Sequence, residues 1–252
     1  MLMTLALAAA FSLNGAAHSP GPKVVTVPPG KYSRQTLTAR NRPVVFDGRG
    51  KVELANLEIS GASHVELRNM RIDGWTVDTG NAITFRRVDT RGTFSIHAPS
   101  SNVSVLGGSV GPSHNVGSQI AVPSNSVTRP SRGILIDGVT FHDVSRDPKS
   151  HVECLMVAQG DGVTIRNSHF TRCSVFDVFV TWWYFWPKVG PPTHLSILNN
   201  VFEKTIDGYY SLKFANYVDR AKLAWTDVTI KGNVFGQAPS YEGRRVRFVS
   251  HP

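Results

Sequence analysis

Cysteine, charge and long apolar runs are all scarce in this sequence, and each shortage excludes something. Two cysteines in 252 residues exclude the disulfide framework that staples small secreted domains. Cys154 and Cys173 are expected instead as buried free thiols, which behave as small apolar residues. No His or Asp is placed by motif to activate either one. Charged residues are only 18% of the chain against 41% hydrophobic, which excludes a disordered polymer. There is no run of five Lys or Arg, no zinc-ligand spacing and no recognition-helix pattern, so nucleic acid is set aside as a partner. The apolar stretch Met1 to Ala17 is too short to span a bilayer. It ends in Gly15, Ala16 and Ala17 and reads as an export signal cut after Ala17, although the first Lys or Arg is Lys23. The alternative for this stretch is a buried N-terminal cap.

What the sequence does have is turn residues, 22 Gly and 15 Pro, and a net charge of +9. A field of that sign attracts any polyanion, including an acidic polysaccharide such as polyuronate. The one dense basic stretch, Arg244, Arg245 and Arg247, reads as a charge cluster protecting a sheet edge. Residues 18–252 are long for one ordinary globular core but suit one solenoid, in which each coil packs only on its neighbours.

Self-similarity is the strongest signal. The pattern apolar-x-apolar-x-(Asn or Gly)-x-x-apolar fits Val65-Leu67-Asn69-Ile72, Val103-Val105-Gly107-Val110, Ile134-Ile136-Gly138-Phe141, Val163-Ile165-Asn167-Phe170, Leu195-Ile197-Asn199-Phe202 and Val228-Ile230-Gly232-Phe235. Ile83-Phe85-Arg87-Thr90 is a degraded further copy. The first two apolar residues alternate as in a half-buried strand, and the Asn or Gly supplies the left-handed backbone of a tight bend. Successive copies start 18, 20, 31, 29, 32 and 33 residues apart, so loops enlarge the coils of the C-terminal half. Between copies lie further alternating segments, Leu57-Ile59, Trp75-Val77, Phe94-Ile96, Ile120-Val122, Leu155-Val157, Val178-Val180 and Leu212-Phe214, which would stack as another parallel sheet.

The expected fold is therefore all-β: a single-stranded right-handed parallel β-helix of about seven to nine coils. Asp161-Gly-Val-Thr-Ile-Arg-Asn-Ser-His-Phe170, His194-Leu-Ser-Ile-Leu-Asn-Asn-Val-Phe202 and the opening Val24-Val-Thr-Val-Pro-Pro-Gly-Lys-Tyr32 resemble the pectate-lyase-like β-helix superfamily. The likeness runs from about residue 24 and implies a carbohydrate-related role, with ligand along one parallel sheet. Neither the paired Asp-Asp and Arg-x-Lys signatures of polygalacturonase-like hydrolases nor the Arg-x-Pro-x-x-Arg of pectate lyases is present.

Alternation in the further sheet sends Thr76, Asp78, Ser95, His97, Gln119, Cys154, Met156, Asp177, Phe179, Thr181, Ser211 and Lys213 outward. Candidate catalytic residues near this column are His151, Glu153, Asp177, Asp207 and Lys213. Two carboxylates among them could hydrolyse a glycoside. Alternatively, Lys213 or His151 could remove the C5 proton of a uronate, with Ca²⁺ as the cofactor a lyase would use; no metal-ligand set is assigned. Thr181-Trp-Trp-Tyr-Phe-Trp-Pro187 cannot bury all its rings on one face. Trp182, Trp183 and Trp186, with Tyr209 and Tyr210, are candidate sugar-stacking residues. The leading expectation is an extracellular lyase or hydrolase acting on an anionic polysaccharide; the alternative is a non-catalytic glycan-binding or cell-surface solenoid. The oligomeric state is not legible.

Overall fold

The computed structural model describes residues 11–19, 24–38, 42–124, 126–182, 188–216, 225, 227–241 and 247–248. Apart from a short helix, Leu13–His18, these residues are organised by two parallel sheets, one of seventeen strands and one of nine. The chain alternates between them, giving a parallel β-helix-like solenoid. The nine-stranded sheet runs in chain order, from Gln35–Thr38 through Trp75–Asp78, Phe94–His97, Ser118–Ala121, Glu153–Val157 and Phe176–Trp182 to Ser240–Tyr241.

The repeated pattern explains the larger sheet. Val65 pairs with Ile83, Ile83 with Val103, and Ile165 with Ile197, so equivalent positions stack from one lap to the next. Every bend position of the pattern has a left-handed backbone, at φ 51–68° for Asn69, Arg87, Gly107, Gly138, Asn167, Asn199 and Gly232. Parallel strands lie about 4.8 Å apart, and the last apolar position turns that spacing into a ring stack. Phe141–Phe170, Phe170–Phe202 and Phe202–Phe235 have centroids 4.7, 5.0 and 5.1 Å apart. Each such pair contributes about 0.5–1.5 kcal/mol beyond the area it buries. Beside the bend, fully buried Asn200 accepts the Ser168 N–H (2.9 Å) and donates to the Ile165 carbonyl (3.0 Å), while Asn233 accepts the Asn200 N–H (2.9 Å). This ladder satisfies backbone groups that the bend leaves unpaired in the interior.

The structure corrects three expectations. Cys154 and Cys173 are a disulfide, Cα–Cα 5.5 Å, not free thiols. One lap of the solenoid returns the chain almost to its start: Phe176 pairs with Glu153, and Cys173 lies three residues before that closure. The segment Ile120-Val122 is also displaced by one pair, because Ile120 pairs with Ile96 and Val157. The aligned inward residue is Ser118, buried, whose hydroxyl accepts the Phe94 N–H at 3.2 Å. Finally, of the residues expected outward, Cys154, Asp177, Phe179, Thr181 and Ser211 are buried. Alternation sets direction, but a second apolar cluster of Val175, Phe176, Phe179 and Ala215, with Met156 against it, lies on this side of the sheet, while Cys154 is buried in the main core with Cys173.

Leu13 and Ala17 of the short helix are buried in the main core, and the Leu13 N–H donates to Gln35 Oε1 (3.1 Å), so this segment packs on the first strand of the nine-stranded sheet. No helix among the described residues is long and apolar enough to cross a membrane.

Candidate functional site

The outward face of the nine-stranded sheet carries two adjoining open clefts. The first, about 550 Å³, is lined by Arg34, Glu58, Thr76, Asp78, Ser95 and His97 among others. Register puts Glu58, Thr76, Ser95 and Gln119 in one row across successive strands. Arg34 is ion-paired to Glu58, and Gln119 Nε2 donates to Ser95 Oγ at 3.2 Å. Burial lowers the His97 pKa, partly opposed by the negative charge of Asp78. The row therefore presents hydrogen-bonding groups with little net charge.

The second cleft, about 420 Å³, holds His151 and Glu153 beside Gln119, Met156, Phe179 and the segment 115–118. His151 Nδ1 lies 2.5 Å from Glu153 Oε1, and that oxygen has no aligned hydrogen-bond donor. The His151 side chain is half exposed and that of Glu153 is enclosed, so the imidazole is the part of the pair that meets solvent. His151 packs edge-on to Phe176 and Phe179, at 5.2 and 5.7 Å. Gly117 forms the opposite wall, and any larger residue there would bring its Cβ within 2.1 Å of the Glu153 carbonyl.

The other expected catalytic residues are placed differently. Asp177 is 1% exposed, and neither carboxyl oxygen has a hydrogen-bond partner among the described residues. Burial pushes its pKa up to about 8, opposed by the Ser211 hydroxyl beside it and reinforced by the charge of Glu203. That hydroxyl lies 3.3 Å from the Glu203 carbonyl, to which it donates. Asp207 is ion-paired with Arg146 (Nε–Oδ2 2.7 Å), and the same guanidinium donates to the carbonyls of Pro148 (3.0 Å) and Ser150 (2.6 Å). Arg146 therefore ties the residue before His151 to the loop that leads into Tyr209. Lys213 donates to Ser240 Oγ at 3.0 Å and lies over the Tyr210 ring.

Tyr209 and Tyr210 are 48% and 38% exposed and flank Phe176. Trp182 packs against the main core, with its indole N–H buried and without a partner among the described residues. Trp183 and Trp186 lie outside the described residues, as do Arg244 and Arg245 and the side chain of Arg247. Among the described residues, no group of three or more His, Cys, Asp or Glu could hold a metal ion. Sequence reasoning missed Arg146, whose partner is 61 residues away, and the cleft around Arg34 and Glu58, which forms only when strands stack.

No protein-family model matches the chain, and no curated protein matches it either. Among solved structures, the surface protein and adhesin PfbA of Streptococcus pneumoniae is similar at 11% identity and TM-score 0.54, covering 93% of each chain. The likeness is one of fold. The mannuronan C-5 epimerase AlgE6 A-module of Azotobacter vinelandii (13% identity, TM-score 0.38, 95% and 93% covered) is a looser match. So is the catalytic domain of a GH87 α-1,3-glucanase in complex with nigerose (10%, 0.32, 96% and 67%). Neither superposes well enough to carry an argument.

Proposed function

We propose that this chain is an exported, carbohydrate-active, right-handed parallel β-helix similar to the pectate-lyase-like superfamily, holding a polysaccharide along the outward face of its nine-stranded sheet. The nine strands favour the upper end of the seven-to-nine-coil estimate. The Cys154–Cys173 disulfide supports an oxidising, extracellular compartment.

One observation carries the chemical reading: the His151–Glu153 contact at the mouth of a 420 Å³ cleft. Glu153, enclosed at the Nδ1 side, faces that side of the ring and leaves Nε2 as the base that meets ligand. Glycoside hydrolysis needs two carboxyl groups flanking one bond. Here Asp177 is sealed and Asp207 is committed to Arg146, so the geometry favours abstraction of the C5 proton of a uronate by His151 Nε2, with Tyr209 and Tyr210 as sugar-stacking walls. The electron pair left at C5 forms the C4=C5 double bond as the C4–O4 glycosidic bond breaks, and water protonates the departing oxygen. Incubation with polyuronates should yield unsaturated, ultraviolet-absorbing ends, and His151→Asn should reduce their formation by about 10²-fold or more. New reducing ends without unsaturation would point to hydrolysis, and no product from any polyuronate or neutral glycan would sink the catalytic reading.

A non-catalytic glycan binder is the second reading, favoured by the exposed Tyr209 and Tyr210 rings beside a cleft with one acid–base pair. Glycan binding that survives Glu153→Gln but is lost on Tyr209→Ala would support it over the enzyme.

A further inference from the structure

A third cleft, about 450 Å³, lies at the bend between the two halves of the larger sheet, away from the nine-stranded sheet. It is lined by Arg49, Gly50, Asn69, Met70, Arg71, Arg87 and Asp89. Arg87 occupies the bend position where the repeat otherwise places Asn or Gly, and Arg49 sits in the turn one lap before Asn69. Both have left-handed backbones, φ 50° for Arg49 and 51° for Arg87, a conformation that non-glycine residues adopt at a cost. Arg172 shares that conformation at φ 51°, but Asp143 engages its guanidinium at both oxygens.

Arg49 and Arg87 have no such compensation. Among the described residues neither guanidinium has an ion-pair or hydrogen-bond partner, and both residues are exposed. Of the other charges lining the cleft, Arg71 Nη1 lies 2.7 Å from Glu53 Oε1, and Asp89, which keeps its negative charge, accepts from Ser109 Oγ at 3.0 Å. Asn69, between the two arginines, donates to Asp47 Oδ1 at 2.9 Å. The result is two guanidiniums without an ion-pair partner, on backbones two strand spacings apart, about 10 Å, at the rim of one cleft. A guanidinium fork matches a carboxylate or sulfate in two parallel hydrogen bonds.

The geometry points to an anion-binding site at this bend that takes the carboxylate or sulfate groups of an acidic polysaccharide chain through Arg49 and Arg87. No aromatic residue lines the cleft, so it lacks the stacking platform on which single-stranded nucleic acid is held. The site needs no reaction at His151 and stands or falls apart from it.

The test is a binding titration of the whole chain at low salt with polygalacturonate, a sulfated glycan, neutral dextran and a single-stranded DNA oligonucleotide matched in charge. Wild type should bind one or both acidic glycans and not dextran, and the two acidic glycans separate carboxylate from sulfate. The double variant Arg49→Gln/Arg87→Asn should lose at least about tenfold in affinity, because two charge-assisted contacts vanish. Arg129→Gln/Lys188→Gln, with the same loss of charge at exposed positions elsewhere, should stay within about twofold. Arg87→Asn keeps a residue suited to the bend and should raise Tm by roughly 2 °C, so lost affinity is not lost fold. Arg49→Gln alone repeats the test in an exposed turn. Equal losses in both double variants, equal binding of dextran, or tighter binding of DNA than of either acidic glycan would overturn the assignment.

Discussion

Asp177→Asn should stabilise the protein, and by an amount that depends on pH in a defined direction. Burial raises the folded-state pKa of Asp177 from its ordinary 3.8 to about 8. Between those values the folded protein keeps a proton that the unfolded chain has released. Stability therefore falls as pH rises through this window, by up to about 1.4 kcal/mol per pH unit. At pH 7 the accumulated penalty has a ceiling of about 4 kcal/mol, lowered by any local relaxation that lets water reach the carboxyl. Asparagine has nearly the same shape and no charge, so the variant escapes the penalty. Urea unfolding followed by tryptophan fluorescence at pH 4.5, 6 and 7.5 should show the two proteins close together at the lowest pH and diverging upward. Asp143 and Glu203 have lowered pKa values, Asp143 chiefly from Arg172 and Glu203 chiefly from the Thr171 hydroxyl. Their contribution is lost on acidification, the opposite sign; that of Asp143 cancels in the comparison, while the charge of Glu203 is part of what raises Asp177. A constant offset across pH, or a variant less stable at pH 7.5, would refute the picture of an enclosed, unpartnered carboxyl.

Three further outcomes follow from the packing. Cys154→Ser/Cys173→Ser opens a loop of about twenty residues and should cost roughly 3 kcal/mol; thiol titration of the unfolded wild type without reductant should find none, and two free thiols would contradict the bond. Phe170→Ala, in the middle of the ring stack, should cost about 3–5 kcal/mol in chemical unfolding, and a cost below about 1 kcal/mol would mean that the stack can collapse around the gap. Arg146→Gln should lower glycan turnover or binding while His151 and Glu153 remain, because the brace between the Ser150 carbonyl and Asp207 is weakened; unchanged function would reduce Arg146 to a surface contact.

The fold was legible because strand spacing converts sequence repetition into stacked side chains. Even the degraded copy obeys it: Arg87 makes the same bend as Asn69 and Gly107. Thr90, in the column of Ile72 and Val110, is kept buried by accepting the Trp75 indole N–H at 2.9 Å. The disulfide was within reach of the same logic. A lap of about twenty residues brings a cysteine back beside one 19 positions earlier, but local spacing carries no mark of it until laps are counted. The slip at Ile120-Val122 arose because the aligned inward position is Ser118, a polar residue whose buried hydroxyl finds a backbone donor.

The site was less legible, since period-two alternation tells which side of a sheet a residue leaves and not what covers it. Asp177 and Lys213 leave the same face on adjacent strands, yet one is sealed and the other reaches Ser240. Net charge is similarly silent about position. A charge of +9 attracts a polyanion without saying where, and along the nine-stranded sheet Arg34 is held by Glu58 and Lys213 by Ser240, while Asp78 and Glu153 add negative charge. Among the described residues, two guanidiniums without a partner, those of Arg49 and Arg87, are on the bend of the other sheet. A polyanion drawn by long-range attraction would be held at that bend, whereas a sugar meeting His151 would be selected by shape and hydrogen bonding. Raising salt should accordingly weaken capture of acidic chains through Arg49 and Arg87 far more than it weakens binding of a short oligosaccharide at the His151 cleft. Equal salt sensitivity at both would mean that one surface serves both ligands.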